Sequence, residues 1–313
     1  MNTPILFLVF NRPETTQRVF EAIRAAHPLR LYVAADGPRP SHKADAQRCD
    51  KARKIATDVD WPCDVKVLFR EQNLGCGPAV KSAIDWFFDN EEMGIIIEDD
   101  VVPCPSFYPF CEQLLHKYKT DTRIGMISGN NHAGYQPFTE SYFFSKYKMI
   151  WGWASWKRAW DVMDFELSWA ESPYADMIIR NMGHGRASEN YYQRILSALQ
   201  KGKINTWDYH WFFSLAAQNL LCIFPKHNMV SNIGFSNDST HTRGKPRRSY
   251  VEAQDISFPL KHPAFVLAST CHDRLYEKKI LVPPLQRYFY TPLSTVVPEP
   301  VREFIKRQLF SKQ

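Results

Sequence analysis

No stretch of this 313-residue chain approaches the roughly 20 consecutive apolar residues that a membrane-spanning helix needs. The apolar start, Met1 to Val9, has no basic region before it and no small-residue cleavage site after it, so it reads as a first core strand and not as a secretory signal. The protein is accordingly expected in the cytoplasm. No Cys-x-x-Cys pair occurs among seven scattered cysteines (49, 63, 76, 104, 111, 222 and 271), which supports neither a zinc site nor a disulfide framework and leaves reduced, mostly buried thiols. The net charge of +6 comes without a continuous basic stripe interleaved with aromatics, which argues against nucleic acid as a partner. The local basic stretches, Arg243 to Arg248 and Arg302 to Lys312, suit the phosphates of a small ligand or peripheral contact with an anionic membrane surface. Gly75-Cys76-Gly77 lacks the Gly-Lys-Ser/Thr ending of a Walker loop. Internal repeats and low-complexity tracts are absent as well.

What remains is ordinary globular composition, with strand and helix signals alternating over the first 130 residues. Ile5 to Phe10, Arg30 to Ala35, Asp64 to Phe69 and Gly94 to Ile97 read as strands. Helical spacing follows Pro13, runs from about His42 to Thr57, and continues from Pro78 to Asn90, where Val80, Ile84, Phe87 and Phe88 share a face. The pattern predicts an α/β fold with a mostly parallel central sheet flanked by helices. From about residue 130 tryptophans crowd together, at 151, 153, 156, 160 and 169 and then at 207 and 211, with helices predicted over Glu189 to Gln200 and Tyr209 to Asn219. The expected organisation is a ligand-binding α/β half over 1–130, a tryptophan-rich half over 131–245 laid against it, and a C-terminal extension over 246–313 packed on the core, with a final helix after Pro300.

Glu98-Asp99-Asp100 is the most informative segment. Three carboxylates directly after a four-residue apolar strand would be costly in a core without a compensating cation. At the carboxyl end of a sheet strand they face the crevice where α/β folds bind ligands. Oxygen ligands select Mg²⁺ or Mn²⁺, and one carboxylate plus a diphosphate can complete such a site. The bland alternative is an acidic turn in solvent.

The segment Ile95 to Pro103, with Phe107 and Phe110 downstream, resembles the N-acetylglucosaminyltransferase I family. The resemblance implies a GT-A (Rossmann-like) fold with a tryptophan-rich acceptor-binding half, inverting transfer from UDP-N-acetylglucosamine, and Mn²⁺ as cofactor. It makes Asp100 the metal ligand and puts Glu98 and Asp99 near the donor sugar and ribose. Val9-Phe10-Asn11-Arg12 resembles the family's first strand, with Asn11 and Arg12 at the donor and Arg12 on uracil or phosphate. Ala34 to Gly37 resembles the second strand, with Asp36 on uracil, and Pro78 to Lys81 a helix bringing Lys81 near the donor. Ile127 to Asn131, Tyr147 to Trp160 and Thr206 to Trp211 match further islands, so the likeness spans about residues 4 to 240. The chain departs from the family in lacking a membrane anchor and stem, which suggests a microbial relative acting on lipid-linked or exported polysaccharide.

Asp208 is the candidate general base, since inverting transfer needs a carboxylate to deprotonate the acceptor hydroxyl; it could equally cap the following helix. Asp161, Asp164 and Glu166 compete for the role. Trp151, Trp153 and Trp207 are candidate acceptor-binding walls, because aromatic faces stack on sugar rings, although all could be core. His241 is a second metal candidate, with Arg243, Lys245, Arg247 and Arg248 near it as cations for a diphosphate. Asp36 could serve a simple turn, and Lys81 could be solvated. Two other classes remain open: a sugar-nucleotide nucleotidyltransferase, disfavoured by Asn11-Arg12-Pro13 where a Gly-rich loop is usual, and a non-catalytic glycan-binding protein.

Overall fold

A computed structural model describes residues 1–137, 139–234 and 251–281. His241, the basic residues 243–248 and the expected helix after Pro300 lie outside the described residues. The first part alternates as expected: β1 (Ile5–Val9), α1 (Pro13–Ala26), β2 (Arg30–Ala35), α2 (Asp45–Thr57), β3 (Asp64–Phe69), α3 (Cys76–Asn90) and β4 (Met93–Glu98). Then follow β5 (Val101–Pro103), α4 (Phe107–Lys117), β6 (Ile124–Ser128), β7 (Tyr142–Ser145), β8 (Trp153–Trp156) and α5 (Lys157–Trp160). The remainder is α6 (Ala175–Asn181), α7 (Arg186–Gln200), α8 (Asp208–Ala217), β9 (Leu221–Pro225), β10 (Val230–Asn232) and α9 (Thr270–Tyr276). Among the described residues no helix is long and apolar enough to cross a membrane.

Eight strands form one sheet in the order β3-β2-β1-β4-β8-β6-β9-β7, in which only β8 and β7 run against the rest. The mostly parallel sheet expected from the apolar runs is therefore present. Its strands come from both sides of residue 130, because β8 inserts between β4 and β6. The sheet is buried on both faces. Ile5, Phe7 and Val9 of β1 point into one core with Val19, Phe20 and Ile23 of α1, while Leu6 and Leu8 point into the other with Ile84 and Phe87 of α3. That double burial is why β1 and β4 read as continuous apolar runs and not as alternation. The edge strand β3 alternates and leaves Val67 and Phe69 exposed. The opposite edge, β7, is covered: Ser141 and Phe144 bond the segment 261–269 through Lys261 and Ser269, which closes the edge to pairing with another chain.

The tryptophan-rich stretch is largely core. Trp153 is fully buried and stacks on Trp207 with ring centroids 5.6 Å apart, and Trp160 and Trp211 pack beside them. Gly152, at φ +60°, supplies the left-handed turn between Trp151 and Trp153. A Cβ there would come within 2.8 Å of Val230 Cγ1. Replacing Trp153 by alanine should lower the free energy of unfolding by about 3–5 kcal/mol, as for other large aromatics removed from a sealed core; a denaturant melt checks this, and a cost below about 1 kcal/mol would place the ring outside the core.

Candidate active site

The direction in which strands are added to the sheet reverses at β1: the connections go out to β2 and β3 and then return to β4 on the other side. Open α/β sheets bind ligands beyond the strand ends at such a switch point. A cleft of about 520 Å³ opens there, lined by the ends of β1, β2 and β4, the start of α3, and the turn into α8. Its size is that of a small-molecule site.

β4 is apolar through Ile97 and ends at Glu98, so the carboxylates fall in the turn before β5, where the strand leaves the core. They are not equivalent. Asp99 is buried; its Oδ2 accepts the Phe10 amide at 3.0 Å and its Oδ1 accepts Arg12 Nη2. Asp100 lines the cleft, with Oδ2 accepting Arg12 Nη1 at 2.7 Å. Glu98 also lines the cleft, and its Oε1 is sealed from solvent without a hydrogen-bond partner among the described residues. Arg12 follows β1 and precedes α1, whose first turn is set by Pro13 and by Thr15 and Thr16 hydroxyls donating to the Arg12 carbonyl. The guanidinium thus bridges the buried carboxylate and the cleft-facing one.

Asp208 enters the cleft from a different element. It is the first residue of α8, preceded by Trp207 at the cap position, and no side-chain cap bond is made. Its Oδ1 instead accepts the Thr206 hydroxyl, so the simple N-cap alternative does not describe it. Of the competing carboxylates, Asp161 pairs with Lys157, Asp164 accepts Ser168 and the Trp169 amide, and neither these nor Glu166 lines the cleft. Asn205, three residues before Asp208, reaches across to α3: its Oδ1 accepts the Gly77 amide at 2.9 Å. A Cβ at Gly75 or Gly77 would lie 2.8 or 2.5 Å from the Asn205 side chain. The glycines of Gly75-Cys76-Gly77 therefore make room for the contact that ties the Asp208 loop to the first half of the chain.

Several expected donor contacts take other partners. Asp36 lines the cleft, but its two oxygens accept the Leu74 and Gly75 amides and Asn73 Nδ2, so it organises the loop after β3 and does not present a free edge to a base. Asn11 lies off the cleft wall and donates to Asp45 at 2.8 Å. Lys81 pairs with Asp85 one turn along α3, and Val80 and Ala83 face the cleft in its place. Trp153 is core, so it is no acceptor wall; Trp207 lines the cleft but is 2 % exposed, and Trp151 supplies the more open aromatic surface. Arg39, Arg70, Cys76 and Asn205 line the cleft without having been legible as site residues: Arg39 and Asn205 sit in loops, Arg70 directly follows β3, Cys76 opens α3, and none belongs to a motif that points to a ligand.

Among the described residues no group of three His, Cys, Asp or Glu side chains is placed to hold a metal. The set at Asp100 still fits a hard divalent cation that takes its other ligands from a diphosphate and water. Five carboxylates of the lining (Asp36, Glu98, Asp99, Asp100 and Asp208) face three guanidiniums (Arg12, Arg39 and Arg70), one of which, Arg39, is engaged by Asp45.

No family model matches the chain, and no curated protein matches it. Solved structures similar to it include TarS of S. aureus, at 9 % identity and TM-score 0.38 over 72 % of this chain and 58 % of that one. An apo UDP-glucose pyrophosphorylase is similar at 12 % identity and TM-score 0.40, over 74 % and 93 %. HddC from Yersinia pseudotuberculosis is similar at 11 % and 0.29, over 50 % and 77 %. The chain thus spans 58 % of the TarS chain it matches. These likenesses are too distant to assign a role, and membership of the N-acetylglucosaminyltransferase I family is not shown by them.

Burial, with Asp100 beside it, pushes the Glu98 carboxyl up to about 8, against the pull of Arg12. The folded state then holds a proton that the unfolded chain releases near 4.5, so stability contributed by this group is lost as pH rises through that interval. In metal-free buffer Glu98→Gln should melt higher than the wild type by a margin that grows from about pH 5 to about pH 9; a margin independent of pH would show that Glu98 ionises normally.

Proposed function

We propose that the chain is a divalent-cation-dependent glycosyltransferase, moving a sugar from a nucleoside-diphosphate donor to a carbohydrate hydroxyl with inversion at the anomeric carbon. One observation carries the reading: a strand-end acidic triplet and an independently positioned carboxylate, Asp208, meet in a single cleft at the switch point of the sheet. A non-catalytic lectin has no need of a second carboxylate apart from the first group. Uridine and N-acetylglucosamine as donor parts, and Mn²⁺ over Mg²⁺, rest on the sequence resemblance. A lipid-linked or polysaccharide acceptor at the cytoplasmic side of a membrane, within glycan biosynthesis, completes the proposal.

In this mechanism Asp208 takes the proton from the acceptor hydroxyl as that oxygen attacks the anomeric carbon. The Thr206 hydroxyl on Oδ1 fixes the carboxylate plane for that transfer. The bond to the diphosphate breaks on the opposite face, and the diphosphate leaves with the electron pair. Asp100 would hold a divalent cation, which would supply charge neutralisation for the leaving group. Asp36 shapes the loop at 73–75 that receives the nucleotide, and Trp151 offers an aromatic face to a sugar ring. Gly234 packs closely on Asp100, and a Cβ there would fall 2.1 Å from its Oδ2.

The first test is thermal stabilisation by a panel of nucleotide sugars, with and without Mn²⁺. One UDP-sugar should raise the melting temperature of the wild type in Mn²⁺, and Asp100→Ala should abolish the metal-dependent part. Stabilisation by no nucleotide sugar removes the proposal. Asp208→Asn should retain donor stabilisation while losing roughly a hundredfold or more in transfer rate, the scale of a missing general base. Release of nucleoside triphosphate from UDP-sugar and pyrophosphate, without transfer to any glycan, would reassign the site to nucleotidyl transfer.

A further inference from the structure

The cleft already contains a cation of its own. Arg12 places one nitrogen of its guanidinium on Asp99, whose side chain is 3 % exposed, and the other on Asp100, whose side chain is 14 % exposed and faces the cleft. The two carboxylates are held differently. Asp99 also accepts the Phe10 amide, so it stays anchored to β1 if the arginine leaves. Asp100 has no side-chain partner besides Arg12 among the described residues, although its main-chain carbonyl is fixed by the Ile233 amide at 2.8 Å. The Arg12 main chain is pinned in the first turn of α1 by three bonds to its carbonyl, from the Thr15 and Thr16 hydroxyls and the Thr16 amide. Exchange is therefore confined to the long side chain, which itself lines the cleft.

Resting on the glycosyltransferase reading above, we propose that Arg12 is a resident counter-ion that a divalent cation must displace from Asp100, and that the donor diphosphate drives the displacement by accepting the guanidinium. A metal arriving alone meets a carboxylate with one oxygen already taken by the guanidinium. A nucleoside diphosphate offers the guanidinium a replacement acceptor, since a planar fork pairs with phosphate as it does with carboxylate. Arg12 then makes cation and nucleotide bind cooperatively, and linkage requires each to tighten the other by the same factor. The arginine is a positioning residue here: it acts on the cation only through Asp100.

Free Mn²⁺ measured by electron paramagnetic resonance, in titrations of the full chain with and without UDP, tests this with no requirement for turnover. In the absence of UDP, Arg12→Gln should bind Mn²⁺ roughly tenfold more tightly than the wild type, and the strengthening by UDP should shrink by a similar factor. Removing the partner of the buried Asp99 can cost the fold, so Arg12→Lys serves as the second variant. Its compact ammonium keeps the charge but lacks the planar fork that pairs each carboxylate with its own nitrogen, and a smaller shift in the same direction is expected. Variants that fold, judged by a cooperative melt, and bind Mn²⁺ alone no more tightly than the wild type would overturn the exchange. Asp100→Asn that binds Mn²⁺ as well as the wild type would instead overturn the cation site of the proposed function, and the exchange with it.

Discussion

A guanidinium lodged between Asp99 and Asp100 holds the centre of this molecule together. β4 runs apolar through the sheet and ends in carboxylates that cannot remain uncompensated where the strand leaves the core. Arg12 answers that charge from the end of β1, the neighbouring parallel strand. The Phe10 amide adds a second tie between the same two strand ends. These contacts fix the turn before β5, aim Asp100 into the cleft while burying Asp99, and set the spacing of the switch point around which the cleft forms.

The rest of the site is attached to that centre by contacts that cross long stretches of chain. Asn205 holds the start of α3 through the Gly77 amide, a link over 128 residues, and thereby brings the Asp208 loop to the first-half wall. Behind it, stacked Trp153 and Trp207 form a rigid base for the start of α8. Such a base limits the play of a carboxylate that must meet a reacting hydroxyl in one orientation, and looseness of even an ångström is costly in such arrangements. The price of the aromatic packing is that two of three tryptophans expected on the wall are largely unavailable to a sugar.

Much of the first 100 residues was legible because each signal was local. The runs at Ile5, Leu31 and Ile95 are apolar without alternation, and only strands buried on both faces have that pattern. Pro13 and the helical spacing of Ile84, Phe87 and Phe88 marked α1 and α3 in the same way. The acidic triplet at a strand end was legible too, since chemistry and position agreed. The insertion of β8 between β4 and β6 was not, because strand order depends on pairing between residues some 60 positions apart and leaves no mark on either strand.

The sequence by itself determined the alternating α/β class, the parallel first strands and the place of Glu98, Asp99 and Asp100 at a strand end, all of which follow from periodicity and from the cost of burying charge. Only tertiary structure decided how the polar side chains are spent. Asp36 goes to backbone amides, Lys81 to Asp85, Asn11 to Asp45, and Arg12 to two carboxylates 87 and 88 residues away. A titratable group pairs with whatever donor or acceptor the fold brings within about 3 Å, and that neighbour is set by packing across the whole chain.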